Sequence, residues 1–133
     1  MPTITQHMDQ LLEAVRNDET ILAAVLFGSR ARGDGTVSSD YDVCLVLHPR
    51  HATHDDQMAV RMRYMSFQDE RLDLLIFQQL PIYVRHRVLK EGQVLFGRDE
   101  DILYAVACRT STTYDDFRPF YREYLNQVAC AGS

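Results

Sequence analysis

Hydrophobic and polar positions along the chain fall into two alternating periods. Ile4, Met8, Leu11, Leu12 and Val15 recur at helical spacing and predict an amphipathic helix over residues 3–17. "ILAAVLF" (21–27) is a continuous apolar run ended by Gly28, the pattern of a buried strand. "YDVCLVLH" (41–48) predicts a second strand, stopped by Pro49. Residues 51–67 begin polar and then place Met58, Met62, Tyr64 and Met65 on a loosely helical pattern. "RLDLLIF" (71–77) predicts a third strand. Residues 80–91 follow as a helix, with Gly92 just past its C-cap. "QVLFG" (93–97) reads as a short strand or extended turn. From 99 to 127 a helical pattern returns through Ile102, Leu103 and Val106 to Phe117, Phe120, Tyr121, Tyr124 and Leu125, and Pro119 implies a kink or restart. The aromatic residues there predict packing of the last helix onto the rest.

Alternation of strands and helices predicts an α/β architecture. About a dozen residues join the first two strands, which is short for a parallel crossover, so the expected sheet is small, mixed and flanked by helices. The 133 residues suit one domain over 1–133, without internal repeat or linker. Net charge is −5, from 19 acidic and 14 basic residues, which argues against a broad nucleic-acid footprint. Cys44, Cys108 and Cys130 form no CxxC pair, and Cys44 lies within an apolar run as a small buried hydrophobe. No signal peptide or membrane-length apolar run is visible, and the expected location is the cytoplasm.

Two aspartates one residue apart change the picture. Side chains at i and i+2 of a strand share a face, so Asp40 and Asp42 present two carboxylates together. At ~5 Å and an effective dielectric of ~20 they repel by roughly 3 kcal/mol. Taken alone, Asp40 reads as a turn residue and Asp42 as a blunted strand end. Asp73, however, interrupts the otherwise apolar third strand between Leu72 and Leu74. If the second and third strands are neighbours, Asp73 completes a three-carboxylate cluster suited to Mg²⁺, and two such ions can flank an in-line phosphoryl or nucleotidyl displacement. Gly28-Ser29, at the end of the first strand, offers backbone N–H groups and a hydroxyl to an anion, and Arg30 or Arg32 can add charge-assisted contacts to a triphosphate. His48, His51 and His54 read as a solvated loop rather than a metal site, and Arg85, His86, Arg87 and Lys90 as a solvated helix face, with a partner- or RNA-facing surface as the lesser reading.

Gly28-Ser29, ten intervening residues, Asp40-x-Asp42 and then Asp73 resemble the motif set of the polymerase-β-type nucleotidyltransferases. "GSRARGDGTVSSDYD" further resembles the minimal MNT nucleotidyltransferases, antitoxins to HEPN ribonuclease toxins, and "VLKEGQVLFGRDE" and "YDDFRPFYREYL" share that look. The resemblance implies a polymerase-β-like fold, with Asp40, Asp42 and Asp73 catalytic and holding two Mg²⁺ ions, and Gly28, Ser29 and Arg30 binding nucleotide. It further implies transfer of AMP from ATP to a tyrosine hydroxyl of a partner HEPN toxin, as in type VII antitoxins, within a hetero-oligomer and without direct nucleic-acid or membrane binding. Two alternatives stay open: nucleotidylation of a small molecule such as an aminoglycoside, and a non-catalytic antitoxin acting by occlusion.

Overall fold

The structure is a computed structural model and describes residues 4–28 and 41–131, with 117–131 described as helical backbone only. Along the chain come α1 (Ile4–Arg16), β1 (Ile21–Phe27), β2 (Tyr41–Leu47), α2 (His54–Arg63), β3 (Leu72–Ile76), α3 (Ile82–Glu91), β4 (Gln93–Gly97) and α4 (Glu100–Ala131). Short 3-10 turns cover Pro49–His51, Met65–Phe67 and Phe77–Gln79. The strands form one sheet in the order β3-β2-β1-β4. β1 runs antiparallel to both β2 and β4, whereas β2 and β3 are parallel. The sheet is therefore mixed, as the short β1–β2 connection requires, and the longer β2–β3 connection has room for the α2 crossover.

Side-chain alternation along the strands separates two cores. Val43, Leu45 and Leu47 of β2 and Leu72, Leu74 and Ile76 of β3 pack with Leu11 and Val15 of α1 and with Val60 and Tyr64. Cys44 and Val46 face the other way, with Leu22 and Val25 of β1, onto Val88 of α3 and Ile102, Leu103 and Val106 of α4. Burial on both faces explains why β1 and β2 read as unbroken apolar runs. Cys44 is fully buried, and burial pushes its thiol well above the ordinary range, so it is an inert core residue as expected.

Local differences from the expected pattern have physical reasons. The helix over 100–131 runs through Pro119 without a restart; the side chains of Phe117, Phe120, Tyr121 and Tyr124 lie outside the described residues. Gly92 is the C-cap of α3 itself, with φ −74° and ψ 158°, so no left-handed conformation is involved. A Cβ there would run into the Val88 carbonyl and the Val25 side chain, which makes Gly92 a close-approach position between α3 and β1. In α2 the methionine pattern is not the buried one. Met58, Met62 and Met65 are exposed, at 45%, 70% and 64%, while Val60 and Tyr64 enter the core. Thr53 and Asp56 start α2 with a reciprocal capping box, Asp56 N–H to Thr53 Oγ1 at 3.1 Å and Thr53 N–H to Asp56 Oδ2 at 3.1 Å.

Candidate active site

Because β1 is antiparallel to β2, and β3 parallel to it, the C-terminal end of β1 meets the N-terminal ends of the other two. Phe27 is the register partner of Asp42, and Asp42 is the register partner of Asp73. Register partners on neighbouring strands point to the same face and stand about 4.8 Å apart along the backbone. Asp42 and Asp73 thus lie side by side, on the side of the sheet that carries α3 and α4. Both are half-buried. In β3, Leu72 and Leu74 turn to the opposite core, which is why an apolar strand can carry one carboxylate without losing its packing.

Gly28 follows directly. Its φ of +82° lies in the left-handed region, where a side chain is strained. A Cβ at Gly28 would stand 2.7 Å from Asp42 Oδ2. A glycine at such a turn can serve close approach of the backbone to a phosphate. In the structure the group that the missing Cβ accommodates is the Asp42 carboxylate. Asp40, Ser29, Arg30 and Arg32 lie outside the described residues.

The residues present suit a hard divalent cation. Two carboxylates in register supply oxygen donors from adjacent strands, and the glycine, lacking a Cβ, leaves room for that of Asp42 on the β1 side. The histidines behave differently. His48 Nδ1 accepts the Arg50 N–H at 3.1 Å, its ring stands 6.0 Å from that of His51, and no cluster of three metal-binding side chains occurs among the described residues. The basic face of α3 is only partly solvated. Arg87 and Lys90 are exposed, but His86 stacks flat on Tyr114 at 3.9 Å, and Arg85 Nε is buried. Pattern reading missed the His86 stack because Tyr114 lies on α4, more than twenty residues downstream.

Comparison with known proteins decides the family. The family model described as polymerase beta, nucleotidyltransferase, matches residues 9–101, most of the chain. The chain belongs to this nucleotidyltransferase family. A relative from Methanocaldococcus jannaschii, named "Putative protein adenylyltransferase", is 27% identical over 108 residues, covering 81% of this chain and 75% of the relative. Among solved structures, a chain of a toxin–antitoxin complex with AMP-PNP superposes with a TM-score of 0.69 at 18% identity, covering 91% of this chain and 97% of the other. A chain from the complex of tri-AMPylated Shewanella oneidensis HEPN toxin with MNT antitoxin gives a TM-score of 0.66 at 16% identity, covering 96% and 99%. At these identities the likeness concerns the fold, and it extends over nearly the whole of both chains. The polymerase-β-like α/β fold and the enzyme class expected from the motifs are thus borne out. Among the described residues no helix is long and apolar enough to cross a membrane.

Proposed function

We propose that this nucleotidyltransferase moves AMP from Mg²⁺-bound ATP to a tyrosine hydroxyl on a partner HEPN ribonuclease, and that it thereby acts as the cytoplasmic antitoxin of that toxin. The observation that carries the reading is the register pairing of Asp42 with Asp73 beside Gly28. Two carboxylates held side by side at a strand mouth repel each other, and a cation and a triphosphate held there would offset that repulsion. The relative named as a protein adenylyltransferase and the similarity in fold to chains of MNT–HEPN complexes support protein as the acceptor.

In this reading Asp40 and Asp42 hold Mg²⁺ with Asp73 completing the set. The metal, when bound, withdraws charge from the phosphate oxygens and favours departure of pyrophosphate. Gly28 and Ser29 bring backbone N–H groups and a hydroxyl to the triphosphate, and Arg30 adds a charged fork. Asp73, nearest the acceptor, orients the hydroxyl and takes its proton. The hydroxyl oxygen bonds to the α-phosphorus, the bond from that phosphorus to the bridging oxygen breaks, and pyrophosphate leaves. The domain encloses no third reactant, so docking of the partner supplies the orientation. An anionic AMP on a tyrosine beside a ribonuclease site then excludes RNA by bulk and like charge.

The test is to incubate this chain with Mg²⁺-ATP and the product of the neighbouring gene, then measure that product's intact mass and ribonuclease activity. A gain of AMP with loss of activity is the expected result. Loss of activity with no mass change would replace transfer by occlusion, and no change in either would send the search to small-molecule acceptors.

A further inference from the structure

The side of the sheet that carries Asp42 and Asp73 also carries, at its other end, a cleft of about 200 Å³ between α3, α4 and the turn after β3. From Asp42 to this end is about 15 Å of strand. Phe77 and Gln78 form its floor, and Arg85, Arg109, Thr110 and Thr113 its walls. We propose that this cleft is a second anion site, built for a small phosphoanion and separate from the catalytic end.

Three observations carry the proposal. First, two arginines line one cavity, and no Asp or Glu is among its described lining residues. Like charges gathered without a counter-charge call for an anion. Second, Arg85 Nε is buried with no hydrogen-bond partner. A sealed donor on a charged group is costly, and native interiors leave few of them unexplained. Third, the neutral groups of the wall are already engaged. Gln78 closes a pair of hydrogen bonds with the Leu47 backbone, at 3.2 and 3.0 Å. Thr110 and Thr113 donate to the Val106 and Arg109 carbonyls, at 2.8 and 2.9 Å. Of the polar side chains lining the cleft, those of Arg85 and Arg109 are left to meet a ligand, and guanidinium groups match phosphate oxygens in pairs. The ring stack of His86 on Tyr114 pins α3 to α4 beside Arg85 and fixes the width of the cleft.

Charge selects among anions. A phosphate dianion balances both arginines, whereas a monocarboxylate leaves one uncompensated. Two sources offer this chemistry, inorganic phosphate and the pyrophosphate released by nucleotidyl transfer.

The experiment titrates inorganic phosphate, pyrophosphate and acetate into the full chain without divalent cations, at constant ionic strength set with sodium chloride, following heat and melting temperature. Saturable binding of phosphate or pyrophosphate is expected, with acetate at least tenfold weaker. Arg109→Gln, at an exposed position, and Arg85→Gln should each weaken phosphoanion binding about tenfold or more. Arg85→Lys, which keeps charge without the fork, should fall between wild type and Arg85→Gln. Whichever phosphoanion binds more tightly names the source. Absence of saturable binding overturns the proposal, as does a response that survives in the Arg85→Gln/Arg109→Gln double variant, or acetate binding as tightly as phosphate.

Discussion

Asp18 and Asp42 stand at opposite ends of the same strands, and their surroundings could hardly differ more. Asp18 lies in the turn from α1 to β1, where its carboxylate accepts from Thr20 Oγ1 at 2.6 Å, Thr20 N–H at 3.1 Å, Tyr64 Oη at 2.8 Å and Arg63 Nη1 at 2.5 Å. Beside it Arg98 donates to the carbonyls of Val15, Arg16, Asp18 and Ile21, closing the exposed C-terminal end of α1. Burial raises the carboxyl pKa of Asp18, but the hydrogen bonds from Thr20, Tyr64 and Arg63 together outweigh it and hold the group below its ordinary value. The same burial and the same carboxylate push the Tyr64 hydroxyl well above its usual range. At the other end Asp42 is set beside a second carboxylate in register. One end of the sheet gathers donors around an acid, and the other sets two acids in register. The first arrangement stabilises the fold, and in the second the mutual repulsion of the two carboxylates is the part a cation would relieve.

That contrast predicts opposite outcomes for similar substitutions. Asp42→Asn should lower the AMP transfer rate by ~100-fold or more, because a ligand needed in the transition state is lost. Its melting temperature without metal should stay the same or rise, since repulsion from Asp73 is relieved. Near-normal transfer by the folded variant would remove Asp42 from the catalytic set.

Asp18→Ala should do the reverse. It strips the acceptor from three side chains, one of them a buried tyrosine, and should cost about 2–4 kcal/mol in denaturant unfolding while leaving transfer by the folded protein unchanged. Arg63 is half-exposed and contributes the smaller share. Because the Asp18 carboxyl is depressed in the folded state, its contribution is fully present above the ordinary carboxylate value of 3.8 and is lost as pH falls below it, toward the folded value. Unfolding free energy followed from pH 6 down to about pH 2 should therefore decline less steeply in Asp18→Ala than in wild type. Parallel curves would mean that this network does not bind the charge as described.

Gly28→Ala touches the boundary between the two behaviours and should destabilise less than Asp18→Ala. The left-handed φ costs about 1–2 kcal/mol for alanine. The new Cβ must also displace Asp42 Oδ2, so transfer should fall by more than the stability change alone would explain. A variant with wild-type kinetics would show that the Asp42 position in this structure is not the one used in catalysis.

The first three strands were easy to find in the sequence because they are apolar runs with sharp ends: Ile21–Phe27, buried on both faces, matches the prediction, and Leu72–Ile76 lies within one residue of it. Asp73 stood out for the same reason, as one charge in such a run. Its pairing with Asp42 depends on strand order, which periodicity does not encode; only the short β1–β2 connection hinted at it. The Asp18 network was not legible at all. Asp18 and Tyr64 are 46 residues apart, and Arg98 and Val15 are 83 apart, so nothing local signals either contact. In α2 the loosely helical pattern was legible, but not which of its side chains enter the core: Met58 and Met62 lie on the exposed side, where flexible apolar side chains are tolerated singly.

The most direct test of the central claim, that the open end tolerates its carboxylates in order to hold metal and nucleotide, is thermal denaturation of this chain with Mg²⁺ alone, ATP alone and both together. The pair should stabilise well beyond the sum of the single additions, by about 2.7 kcal/mol when the complex is at ~100 times its dissociation constant, and Asp42→Asn should abolish the excess. No shift under any condition, or an equal shift in Asp42→Asn, would contradict it.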